Sequence, residues 1–100
     1  MSLDELLGLL GDHHRRRVVT ELADNSPVTV EEFVRAADGV APHSVAITLH
    51  HTHLPKLQRA GVVTWDDGAG TVSRGPEFEA VEPLVELFRS NRERLPGDWP

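Results

Sequence analysis

Apolar positions recur at helical spacing from the start of the chain. Leu3, Leu6, Leu7 and Leu10 predict a first helix, with Ser2 as its N-cap and Asp4 and Glu5 in its first turn. Gly11 ends it, and Asp12 caps a second helix whose apolar stripe is Val18, Val19, Leu22 and Ala23. Asn25-Ser26-Pro27 is turn chemistry, and Val28-Thr29-Val30 is a β-prone run too short to stand without a sheet partner further along. Thr29 with Glu31 and Glu32 opens a third helix carrying Phe33, Val34, Ala36 and Ala37, ending at Asp38-Gly39. After a tight connection at Val40-Ala41, residues 42–60 read as one long helix, bent at Pro55 and closed by Gly61 as its C′ residue. Residues 62–65, the turn residues 66–70 and residues 71–74 carry a β-hairpin signature. Pro76 and Pro83 frame a less regular stretch. A final amphipathic helix over about 82–94 carries Leu84, Val85, Leu87 and Phe88, and residues 96–100 form a flexible tail.

This order implies a single α+β domain, mostly α, over residues 1–95. Two consecutive helices joined by a Gly-containing turn (residues 30–60) make a helix-turn-helix, and the hairpin at 62–75 is a wing. Three short strands near 28, 62 and 72 pair into one small antiparallel sheet, so the fold is a winged helix-turn-helix with terminal helices.

At about 100° per residue, the long helix places Ala46, His50, His53, Leu54, Leu57 and Ala60 on one side. Ser44, Thr48, His51, Thr52 and Arg59 fall on the other. The first side is core-like. The second is slender and hydrogen-bonding, and a major groove admits a helix with such a face. Thr48, His51 and Thr52 are therefore expected at base edges, and Ser44, Lys56 and Arg59 at phosphates. Arg74, at the end of the wing, is a candidate for the minor groove. The alternative is an ordinary solvated helix face.

The stretch from His53 to Val63 (HLPKLQRAGVV) resembles the end of the recognition helix in ArsR-type winged-helix repressors. The stretch from Leu10 to Val19 (LGDHHRRRVV) is similar to their early helix, and His50-His51-Thr52-His53-Leu54-Pro55-Lys56-Leu57 resembles small haloarchaeal winged-helix domains of unassigned function. Together these likenesses span roughly residues 3–74. They imply transcriptional regulation through double-stranded DNA, as dimers joined by terminal helices. The cysteine ligands of the metal-sensing repressors are absent, so metal sensing is not implied.

Charge sharpens the question. The 100 residues carry a formal net charge of −6, whereas a DNA-binding domain is expected to show a basic patch. Within residues 28–61, however, Glu31, Glu32 and Asp38 balance Arg35, Lys56 and Arg59. Half of the acidic surplus lies in residues 77–100. An acidic chain with one lysine resembles proteins of salt-loving archaea, and in molar salt counterion release from phosphate contacts contributes little. Asp66 and Asp67 at the wing tip oppose phosphate. These features keep a second reading open, a winged helix used only for protein–protein contact.

Other chemistry is sparse. Without cysteine there are no disulfides and no thiolate metal sites. His13, His14, His50, His51 and His53 invite a metal reading, but no His-Glu-x-x-His occurs, and packed, hydrogen-bonded histidines are expected instead. Arg15-Arg16-Arg17 reads as a solvated helix face in which Arg15 and Arg16 offset Asp12 and Glu21. Trp65 reads as a core residue. No Gly-x-Ser-x-Gly or phosphate-cradling loop is present, so neither an enzyme nor a cofactor or small-molecule ligand is expected. No apolar run is long enough to span a membrane, and the first residues lack a signal-peptide pattern, which points to the cytoplasm.

Overall fold

A computed structural model of the chain describes residues 1–37, 42–97 and 99–100. Its elements are α1 (Leu3–Leu9), α2 (His13–Asp24), β1 (Val28–Thr29), α3 (Val30–Arg35), α4 (Pro42–Thr48), a π-helical turn (Leu49–His53), α5 (Leu54–Arg59), β2 (Val63–Asp66), β3 (Thr71–Arg74), α6 (Phe78–Ser90) and a 3-10 turn (Arg92–Arg94). The mostly helical α+β class and the small antiparallel sheet are those expected. The connection expected at Asp38-Gly39 and Val40-Ala41 lies outside the described residues.

Local capping chemistry sets the helix starts. The Ser2 hydroxyl accepts from the Glu5 N–H at 3.1 Å, the Asp12 carboxylate from the His14 N–H at 2.8 Å, and Thr29 Oγ1 from the Glu32 N–H at 3.2 Å. Each satisfies a backbone donor that a helix leaves without an internal partner. β3 lies between β1 and β2, with Val28 opposite Val72 and Trp65 opposite Val72 across the two ladders. Gly61 ends α5 at φ 77°, a left-handed conformation that a side chain disfavours. Gly75 has no room for a Cβ against the Gly61 carbonyl. The hairpin therefore leaves and rejoins the helical body through two glycines in close contact.

The core joins Val18, Val19 and Leu22 of α2, Val28 and Val72 of the sheet, Val45, Leu49, Leu54 and Leu57 of the long helix, and Val81 and Val85 of α6. Arg89 ties α6 to α2 through the Asp24 carboxylate at 3.1 Å and the Thr20 carbonyl at 3.2 Å. The last helix starts at Phe78, four residues ahead of the expected 82, and Pro83 lies inside it. The carbonyl this proline cannot bond belongs to Glu79, which is exposed, so water can serve it. At the other end, the Trp99 ring packs edge-on against Phe88 at 5.2 Å, which gives the expected free tail a contact on the body.

The long helix departs from the expected periodicity. The Leu54 N–H donates to the Leu49 carbonyl, five residues back, which makes one π turn. The turn directly precedes Pro55, which has no N–H and whose ring crowds the carbonyl four residues earlier. Widening the helix here relieves that crowding. The extra residue rotates α4 relative to α5 by about 100°. The inner side of α4 is consequently Val45 and Leu49, both buried, while Ala46 and His50, expected at the core, are only partly covered.

Candidate functional site

The rotation decides what the long helix presents outward. With Val45 and Leu49 facing inward, the position opposite them is Ile47, which is 46% exposed. His43, Ser44, His51 and Thr52 are exposed around it. Thr48, expected on this crest, is half-buried, and its hydroxyl donates to the Ser44 carbonyl at 2.8 Å. It is a helix-backed threonine rather than the outward reader the α-helical spacing implied. Ser44, His51 and Thr52 are where that spacing placed them, on the outer side.

Beside this crest stands the hairpin. His43, Ala46, Ile47, His50 and His51 form one wall of an open groove of about 320 Å³, and Trp65 and Asp67 form the other. His50 approaches Asp67 at 3.7 Å and meets the Trp65 ring edge-on at 5.4 Å. Trp65 is half-buried against the core, and its backbone N–H donates to Gln58 at 2.8 Å, which fixes the hairpin to α5. Lys56 and Arg59 lie elsewhere. They border a hollow with Met1, Glu5 and Gly8, at the α1 end of the helix. Ser44 and Lys56 are about 18 Å apart along the axis at 1.5 Å per residue. The structure thus separates the expected residues into a crest of hydroxyl and imidazole groups and an end that carries Lys56 and Arg59.

Arg74, Arg15, Arg16 and Arg17 have structural tasks. Arg74 Nε donates to the Leu22 carbonyl at 2.6 Å and its Nη2 to the Ala23 carbonyl at 3.1 Å, at the C-terminus of α2. A guanidinium so placed satisfies orphan carbonyls and complements the helix dipole; it is a cap, not a cation held out toward a minor groove. Arg15 is 9% exposed and donates to the Leu9 carbonyl at 2.7 Å, the Gly8 carbonyl at 3.1 Å and His53 Nδ1 at 3.2 Å. Arg16 donates to the Leu10 carbonyl at 2.9 Å, and Arg17 to the Ala36 carbonyl. The expected solvated face is instead a set of arginines that close the ends of α1 and α3.

His53, 3% exposed, joins α2 to the long helix. Arg15 donates to its Nδ1, and its Nε2 lies 3.5 Å from the Asp12 carboxylate. Burial is the main reason that its pKa falls below the ordinary imidazole value; Asp12 opposes the shift and the Arg15 charge adds to it. For Asp12, burial acts upward, but the His14 and Arg15 N–H groups and the nearby positive charge outweigh it and lower the pKa. Among the described residues, no three histidine or acidic side chains gather as a metal-ligand set.

The consequence is a defined pH response. As pH falls below about 6.5 the unfolded chain protonates this imidazole before the folded chain does, so stability falls with it. The contribution is complete above that value. Asp12 adds a further loss at lower pH, as the medium falls through the ordinary carboxylate range. His53→Gln is expected to flatten the slope of urea midpoint against pH between 7 and 5. An unchanged slope would reject the assignment to His53.

A family model matches residues 7–73, from α1 to the last strand. The chain belongs to the DUF7344 family, described as a domain of unknown function. The DUF7344 match includes the whole crest, the π turn, the end with Lys56 and Arg59 and nearly all of the hairpin, and stops short of α6. No curated protein and no solved structure matches the chain. Among the described residues, no helix is long and apolar enough to cross a membrane.

Proposed function

We propose that this chain is a winged helix-turn-helix regulator of transcription that binds double-stranded DNA, with the helix of residues 42–59 in the major groove. The observation that carries the reading is the uncovered outer side of that helix. Ser44 stands exposed on the first turn and His51 and Thr52 two turns further on, while the inner side is closed by Val45, Leu49, Leu54 and Leu57. A major groove about 12 Å wide accepts one such helix, and hydroxyl and imidazole groups hydrogen-bond base edges there. Lys56 and Arg59, at the far end, reach phosphates. Arg74 has no part in this reading.

The test is binding to genomic fragments across a potassium chloride series that reaches molar salt. His51→Ala is expected to weaken specific binding by about 1–3 kcal/mol and to relax sequence preference. Lys56→Ala and Arg59→Ala are expected to weaken all sequences alike and to lower the salt slope by about one unit each. Folded variants that all bind as the parent does would reject the reading.

The regulator acts as a homodimer through its terminal helices. Leu3 and Leu87 are 59% and 56% exposed, and a groove of about 370 Å³ between α1 and the C-terminal segment is lined by Leu7, Leu10, Phe88, Leu95 and Trp99. Closed two-fold pairing would cover this surface and set two long helices roughly 34–36 Å apart, one DNA turn. Sedimentation at tens of micromolar is expected to give twice the 11.1 kDa monomer mass; a monomer alone overturns the dimer.

A second reading has one observation in its favour. Asp66 and Asp67 are exposed at the hairpin tip, where a DNA-facing wing would meet phosphate. A winged helix that contacts only protein accommodates them, and it takes first place if the DNA experiments fail.

A further inference from the structure

The α4 side chain opposite the buried Val45 and Leu49 is aliphatic. Counting back from Leu54 and Leu57 at 100° per residue puts Ile47 on the core side. The π turn reverses this, because Val45 and Leu49 take the inner side and leave Ile47 opposite. Ile47 is the one large apolar residue exposed in the long helix among the described residues. His43 and His51 flank it at four-residue spacing, and all three line the groove toward the hairpin.

A branched alkyl group between hydrogen-bonding side chains has a specific counterpart in a major groove. Thymine alone among the four bases presents a C5 methyl there, beside acceptors on the adjoining edges. We infer that Ile47 is a specificity-determining residue that packs on a thymine methyl, with His43 and His51 positioned for the acceptors on either side. The inference rests on the DNA-binding reading and deepens it. It replaces Thr48, whose hydroxyl is bonded to the helix, as the centre of the reading surface.

The experiment uses the full chain. Duplexes retained from a random pool define the bound sequence, and each thymine in it is then replaced by uracil, which differs only by the lost methyl. At one position per half-site the replacement is expected to weaken binding roughly threefold to fivefold, as burial of one methyl group implies. Ile47→Ala is expected to bind the thymine and uracil duplexes equally, with an unchanged melting temperature because the side chain is exposed. Ile47→Val should keep part of the preference. If the parent binds DNA but does not distinguish uracil from thymine, or if Ile47→Ala keeps the full distinction, the inference fails and the DNA-binding reading stands. If no duplex is retained, both fall.

Discussion

Truncation of Leu57 to alanine is expected to destabilise the domain by about 2–5 kcal/mol. Leu57 has no exposed surface and belongs to the cluster that includes Leu49, Leu54, Val62 and Val63. Loss of its branched end removes packing between α5 and the first hairpin strand, and a rigid backbone on both sides limits how far the gap can close. Single domains have roughly 5–15 kcal/mol in total, so the variant is expected near the limit of folding. Urea denaturation should show a lower midpoint at an unchanged slope. A midpoint within error of the parent would mean that the side chain is not in the core.

Arg15→Met is the second large effect. The charged group satisfies two carbonyls at the end of α1 and holds the Nδ1 side of His53. Methionine retains bulk and apolar contact but leaves the Leu9 carbonyl and His53 Nδ1 without this donor, whereas the Gly8 carbonyl keeps the Leu10 and Gly11 N–H groups; the loss is roughly 3 kcal/mol. The effect should also be local. Amide-exchange protection is expected to fall first in α1 and at the start of α2, with α6 less affected. Arg35→Met is the control, since Arg35 is exposed and its pairing with Glu31 is 3.9 Å long. Equal behaviour of the two variants would refute the role of Arg15.

What the sequence made legible was chemistry that acts over a few residues. Ser2, Asp12 and Thr29 cap helices by side chains that reach two or three residues forward, and Gly61 ends one by its own backbone. Two β-prone runs around Gly- and Asp-rich turn residues likewise specified the hairpin, with the first strand one residue later than expected and the turn at residues 67–70. The arginines were not legible, because their partners are backbone carbonyls 6 to 52 residues away, as for Arg15 with Leu9 and Arg74 with Leu22. Such acceptors leave no residue pattern. The face of α4 was misjudged for a different reason. Pro55 signalled a bend but not its form. The informative feature was the five-residue step from Leu49 to Leu54, between apolar pairs otherwise three or four residues apart. At α-helical spacing that step leaves the two leucines about 140° apart; only an inserted residue brings both inward.

The π turn also separates two properties that a uniform helix would bind together. Val45 and Leu49 anchor the first half, and Leu54 and Leu57 anchor the second. Each half therefore keeps its own orientation whatever stands on the outer side of the other. On the proposed DNA-binding reading, exchange of His43, Ser44 or Ile47 would alter which partner sequence is preferred, while Lys56 and Arg59 would continue to supply the same general attraction. On that reading, sequence preference would diverge among descendants of one ancestor while the general attraction to phosphate stays the same, and an indel inside residues 49–53 would change both at once.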